Sequence, residues 1–199
     1  MLHVVRIGED DGRTALLVDG VVQSIAPGDG LATGGYWAAM LPSGPPRRSL
    51  ILGLGGGTLA RLLQARWGRR RAATIVGVDD DPAVIVTARA AGWLPLPGLE
   101  VVVEDAFAYV ERCAERFDYV ALDLYRADEL ARRELSRPFL RRLRELLQPS
   151  GRLAVNLFRD RRQARRVQRI AAVFDVERVV EHGGNAIVHA RRRQRERRT

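Results

Sequence analysis

The sequence predicts an α/β protein: a doubly wound, mostly parallel sheet with a C-terminal antiparallel hairpin, plus a small N-terminal β-unit. Three observations predict it. From residue 50 onward, short apolar runs of strand length alternate with segments of helical spacing, the pattern of a parallel sheet covered on both faces. Before that, apolar runs are broken by Asp19-Gly20, a dipeptide suited to a two-residue hairpin turn because glycine tolerates positive φ. Between the two lies a stiff, helix-breaking stretch at residues 42–48, containing Pro42, Gly44, Pro45 and Pro46. The expected units are therefore residues 1–41, residues 48–190 and a basic tail at 191–199.

In chain order, Leu2–Ile7 and Ala15–Ile25 are β-rich and Tyr36–Leu41 is a short helix. Beyond the linker, Leu50–Leu54 is a strand and Thr58–Trp67 a helix. Ala73–Val78 is a strand, followed by a helix over Asp81–Ala91 with Asp81 as N-cap and Pro82 in its first turn. Glu100–Val103 is a strand, Ala106–Arg116 a helix and Tyr119–Leu124 a strand. Pro138–Leu147 reads as a helix closed by Pro149-Ser150-Gly151, followed by a strand at Arg152–Phe158 and a helix at Asp160–Val173. Two last strands, near Val176–Val180 and Asn185–His189, are joined by Gly183-Gly184 as an antiparallel hairpin at the sheet edge.

Composition narrows the chemistry. The chain has 199 residues, long enough for one main domain with a real core, so no disulfide or metal staple is needed. Cys113 is its single cysteine and there are three histidines, which excludes a disulfide framework and a cysteine zinc site and argues against a zinc hydrolase; no metal is expected. All 33 basic residues are arginine, so every mechanism that needs a lysine nucleophile, Schiff base or phosphate-binding lysine is removed. No apolar run approaches the ~20 residues that cross a bilayer. The first residues do not resemble a secretory signal, and a cytoplasmic protein with no membrane partner is expected. The net charge is +9, and six arginines fall within residues 191–199 against Glu196. Such a run either contacts a polyanion such as nucleic acid or is a solvated end, and the solvated end is the favoured reading.

The segment Ile51–Thr58 carries the chemistry. Gly53, Gly55, Gly56 and Gly57 leave a strand and enter a helix, where backbone can approach a ligand closely and unpaired N–H groups are on offer. The next strand ends in Asp79-Asp80-Asp81, which places the Asp79 carboxylate to accept ribose hydroxyls. At the third strand tip, Asp105 can accept an adenine amino group while Ala106 leaves room for the ring. The fourth strand delivers Asp123 to the same C-terminal edge, where open α/β sheets bind ligands. A nicotinamide dinucleotide fits less well: Gly53, Gly55 and Thr58 miss the last glycine of that fingerprint, and Asp105 and Asp123 have no role there.

Together these residues resemble the class I S-adenosylmethionine-binding, Rossmann-like fold, and within it the spermidine synthase-like polyamine aminopropyltransferases. The likeness runs from about residue 14 to 158: Leu17–Ser24 resembles the signature hairpin, Tyr36–Leu41 the helix after it, Leu52–Thr58 the glycine loop, Val78–Asp81 the ribose-binding acid, and Phe117–Asp123 the strand with the catalytic carboxylate. The resemblance implies that Gln23 and Tyr36 line the donor or acceptor pocket, that Trp37 and Tyr125 lie on the substrate side, and that Asp123 binds an acceptor amine and assists its deprotonation. It also implies a homodimer.

Three positions depart from the family pattern. Gly56 stands where the aminopropyltransferases carry an aspartate for the donor's amine. Asp123 is followed by Leu124-Tyr125-Arg126, so a second acceptor-site acid is replaced by a cation. Trp37 replaces a polar residue. A diamine needs matching negative charge to be buried, which Arg126 opposes, and Gly56 removes the carboxylate that would repel the methionine carboxylate; the expected donor is therefore S-adenosylmethionine, or either it or its decarboxylated form, with methyl transfer to a small acceptor. Aminopropyl transfer is the first alternative and a non-catalytic nucleoside-binding protein the second. A nucleic-acid amino-methyltransferase ranks lower, because residues 123–126 lack the Asn/Asp-Pro-Pro-aromatic segment that holds a flipped base. Trp67 and Trp93 read as core cover, Cys113 as an inert thiol and His182 as a turn residue.

Overall fold

The computed structural model describes residues 4–28, 35–68, 74–124 and 135–193. Strands β1 (Val5–Asp10), β2 (Arg13–Val18) and β3 (Val21–Ile25) form a three-stranded antiparallel sheet in that order. Both of its turns are Asp-Gly pairs with positive φ at each residue: Asp11 at 49° and Gly12 at 73°, then Asp19 at 50° and Gly20 at 81°. Those angles match the twist of a tight hairpin. The sequence reading found the second turn. It ended the first strand too early, at Ile7, and overlooked the same signal at Asp11-Gly12.

After the short helix α1 (Gly35–Ala39), the second sheet begins with β4 (Arg48–Leu52), followed by α2 (Thr58–Trp67), β5 (Thr74–Asp79), α3 (Pro82–Ala90), β6 (Leu99–Val103), α4 (Ala106–Arg112) and β7 (Phe117–Leu122). It continues with α5 (Arg137–Leu146), β8 (Leu147–Phe158), α6 (Gln163–Ala171), β9 (Phe174–His182) and β10 (Asn185–Arg192). Its order is β6-β5-β4-β7-β8-β10-β9, with β4 to β8 mutually parallel and β10 antiparallel to both neighbours. Connections reverse direction between β4 and β7, and that switch point opens the crevice where ligands bind such sheets. Helices α4, α5 and α6 bury Val110, Leu140, Leu143 and Ile170 on one face. On the other, α1, α2 and α3 bury Trp37, Leu63 and Ile85 together with Leu16 and Ile25 of the small sheet, and Trp67 and Trp93 join this core.

Several boundaries differ from expectation: α4 ends at Arg112 and not Arg116, α6 spans Gln163–Ala171 within the expected 160–173, and β9 and β10 run longer than 176–180 and 185–189. Pro149-Ser150-Gly151 does not separate helix from strand, because α5 runs directly into β8. Leu147 pairs with Phe117 and Arg152 with Tyr119, so Gln148–Gly151 stand opposite the single residue Asp118 and bulge out of the ladder. The bulge removes the need for an N–H at Pro149. The arginine run also begins inside the sheet: β10 extends to Arg192, and Arg193 pairs with Asp175 at 2.8 Å. Residues 194–199 lie outside the described residues. Among the described residues, no helix is long and apolar enough to cross a membrane.

Candidate active site

The tips of β4, β5 and β7 are stitched together before any side chain contributes. Gly53 and Leu54 donate to the Val78 carbonyl at 2.9 and 3.0 Å, and Asp123 N donates to Leu52 O at 2.8 Å. Gly53 turns out of β4 at φ 90°, and a Cβ there would lie 2.7 Å from the Asp123 carbonyl carbon and nearer still to its oxygen. Only glycine lets the two strand ends approach this closely.

Gly55 follows with φ 55°, and its N–H donates to Asp79 Oδ2 at 2.7 Å, while Asp79 Oδ1 accepts from Asp81 N at 3.1 Å. The Asp79 carboxyl is thereby aimed along the loop. Burial raises its pKa, against the lowering effect of these two backbone donors. Asp81 caps α3 through Ala83 N and Val84 N, as the sequence suggested.

The other two loop glycines face inward. A Cβ at Gly56 would meet Trp93 at 2.9 Å and Ser24 at 3.0 Å, and one at Gly57 would meet Leu94 at 3.1 Å. Neither lines the cavity described below, so their smallness serves packing against β3 and the Trp93 segment. Ser24, fully buried, accepts from Gly56 N at 2.7 Å, and Ile25 N donates to Thr58 Oγ1 at 3.0 Å. Arg61 bridges the same seam, donating to Gly56 O at 2.7 Å and to Ile25 O at 2.5 Å, and burial lowers its pKa to about 10. Sequence reasoning found none of these clamps. Ser24 and Arg61 belong to no ligand pattern, and only the fold brings them to the loop.

Asp105 caps α4, its Oδ1 accepting from Phe107 N at 3.0 Å and Ala108 N at 2.9 Å. Asp123 sits just beyond β7. Its Oδ2 accepts from Trp37 Nε1 at 3.0 Å and Tyr36 Oη at 3.3 Å, and its Oδ1 from Asn156 Nδ2 at 2.8 Å. Burial pushes the carboxyl up to about 6, and the three donors only partly oppose that. Trp37, read from sequence as the loss of a polar residue, supplies a polar contact through its indole N–H. Asn156 was not anticipated; it is a lone amide in the apolar run of β8.

Asp79, Asp105 and Asp123 converge on one cavity of about 290 Å³, together with Gln23, Tyr36, Gly53, Gly55 and Ala106. Asp19, Asp80 and Asp81 also line it, making six aspartates, with no arginine among the described lining residues. Tyr125 lies outside the described residues. A wall of this kind repels phosphates and favours a cationic ligand.

Parallel strand tips, a glycine elbow and carboxylates in one crevice define a class I S-adenosylmethionine-binding, Rossmann-like domain. Within that class the chain is spermidine synthase-like. It is 28% identical over 151 residues to the polyamine aminopropyltransferase of Neisseria meningitidis serogroup A, covering 73% of this chain and 56% of that protein. It is 32% identical over 153 residues to that of Pyrobaculum arsenaticum, covering 72% of this chain and 52% of the relative. The chain therefore spans about half the length of these curated relatives. The crystal structure of spermidine synthase from Thermotoga maritima superposes with a TM-score of 0.75 at 17% identity, over 96% of this chain and 70% of that one, a likeness of fold. No protein-family model matches the chain.

Proposed function

We propose that the protein is a transferase that alkylates an amine from a sulfonium nucleoside, and that the group moved is the aminopropyl of decarboxylated S-adenosylmethionine. The carrying observation is the cavity wall of six aspartates with the raised Asp123 carboxyl among them. Decarboxylated S-adenosylmethionine presents a sulfonium and an ammonium, and both suit such a wall. The carboxylate of S-adenosylmethionine does not.

The sequence favoured methyl transfer because Gly56 lacks a carboxylate and because Arg126 stands where a second acceptor-site acid would be; Arg126 lies outside the described residues. Gly56 is boxed in by Trp93 and Ser24 and does not line the cavity, so its identity weighs less than the carboxylates that do. The names of the curated relatives lean the same way.

In this reading the cavity takes the donor's nucleoside end, with Asp79 accepting from the ribose hydroxyls and Asp105 with Ala106 against the adenine edge; all three line it. A sulfonium donor brings its own leaving group, so the chain has only to bind, orient and accept a proton. Gln23 and Tyr36 face the cavity from the N-terminal side and position the reacting end. Asp123 holds the acceptor amine and takes its proton. With a pKa of about 6 it is ionised at neutral pH yet basic enough to do so.

The test offers each donor with putrescine and identifies the products. Spermidine and methylthioadenosine from the decarboxylated donor support the reading. A methylated amine with S-adenosylhomocysteine overturns it in favour of methyl transfer, and binding without turnover in favour of a nucleoside-binding protein.

A further inference from the structure

Helix α1 is five residues long, too short to be stable alone, yet it carries both Tyr36 and Trp37. Met40 N and Leu41 N close its last turn on the carbonyls of Tyr36, Trp37 and Ala38, which leaves those of Ala39 and of Met40, just past the helix, to other partners. Two side chains of the large sheet meet them. His189 of β10, 6% exposed, has Nε2 2.7 Å from Ala39 O, and Tyr119 of β7 donates its hydroxyl to Met40 O at 2.6 Å. Ala121, Ala154 and His189 stand in one row across β7, β8 and β10, and the two alanines are fully buried. The two alanines share a buried cluster with Trp37 and Met40, and the imidazole stands at the end of their row. Tyr119 on β7 and Asp123 just past its end are four residues apart, so the alternation of the extended chain turns both the same way.

We propose that His189 is a positioning residue for Asp123: by donating its Nε2 proton to the Ala39 carbonyl, it seats α1 where Trp37 and Tyr36 can hydrogen-bond the carboxylate. The imidazole is suited to this because burial lowers its pKa and so favours the neutral form. Arg178 acts in the same direction, against the Ala39 carbonyl and Glu177. Facing Asp123 are Tyr36 and Trp37 from α1, Asn156 from β8 and the buried phenol of Tyr119 from its own strand. That Asp123 is the reacting carboxylate rests on the function proposed above. The seating of α1 does not, and it is tested without substrate.

Ligand-free protein labelled with ¹³C at its aspartate carboxyls is titrated by NMR, with Asp123→Asn assigning the resonance. His189→Met keeps the bulk and removes the donor. Its Asp123 midpoint is expected to rise by roughly half to one pH unit as the Trp37 and Tyr36 bonds loosen. His189→Gln restores a donor and should bring the midpoint most of the way back. His189→Leu also removes the donor, with different packing, and should move it in the same upward direction, which keeps the test available if the methionine variant does not fold. An unchanged midpoint in folded His189→Met overturns the proposal, as does a shift that His189→Gln leaves in place. If His189→Met does not fold, an unchanged midpoint in folded His189→Leu overturns it. Failure of the transfer assays leaves this measurement untouched.

Discussion

Asp123 is held in place by groups that stabilise its charge while burial disfavours it, and the second effect prevails. Its folded-state pKa of about 6 lies above the ordinary value of 3.8. As pH rises the unfolded chain releases this proton first, so the group costs stability across that interval, at most about 3 kcal/mol above it. Asp123→Asn should therefore fold at least as stably as wild type at pH 8, with the difference closing as pH falls below about 4, where both side chains are neutral. Asn156 can accommodate the change: its Oδ1 is buried without a partner and accepts the new amide N–H if the Asn156 amide turns over. Activity in the same variant should drop roughly 10²–10⁴-fold. In wild type kcat/KM should fall below about pH 6 with the slope of one proton. Thermal melts and a pH–rate profile check both. Gly53→Ala is the opposite case, losing stability by about 1–3 kcal/mol in urea because a Cβ has no room beside the Asp123 backbone and φ is 90°. Gly53, Asp79, Asp105 and Asp123 were legible in the sequence because each ends a strand next to a loop. Asn156 and His189 were not. A single polar residue inside an apolar strand carries no signal of its partner until the sheet order sets β7, β8 and β10 side by side.

Among the elements, the glycine loop shows how far local pattern reaches. Strand, elbow and helix are written into Leu50–Trp67, and Asp-Gly pairs mark both turns of the small sheet. The way that sheet is fastened to the elbow is not written there. It depends on Ser24, Thr58 and Arg61 meeting across a gap of more than thirty residues along the chain. The bulge at Gln148–Gly151 was misread for a related reason, since Pro and Gly signal a break in the local chain but not whether a neighbouring strand tolerates it. The fastening is testable. Ser24→Ala leaves the buried Gly56 N–H unpaired and should cost about 1–3 kcal/mol in urea unfolding. Because Gly55 and Gln23 move with the same seam, donor affinity measured by calorimetry should weaken as well. Ser24→Thr, which keeps the hydroxyl, should recover more affinity than stability, since its added methyl meets the tightly packed Gly56 and Trp93.

At the scale of the whole molecule, charge is distributed against its sum. The chain carries +9, yet the crevice at the switch point of the sheet is walled by aspartates. A cationic ligand is thus repelled by the chain at long range and attracted only near the cavity, so its binding depends on fields that salt screens over ~10 Å at 0.1 M. Two nucleosides separate this effect from shape. Decarboxylated S-adenosylmethionine carries positive charge at sulfur and amine, and methylthioadenosine shares its adenosine without either. On the proposed reading both occupy the pocket around Asp79 and Asp105, and burial and ribose contacts are then common to them. Raising salt from about 20 mM to about 500 mM should weaken the charged nucleoside several-fold and leave the neutral one nearly unchanged, as read by calorimetry. Equal salt responses would mean that the carboxylates act as structural caps and ties, as Asp81 and Asp105 do for α3 and α4, and that the crevice selects for adenosine alone.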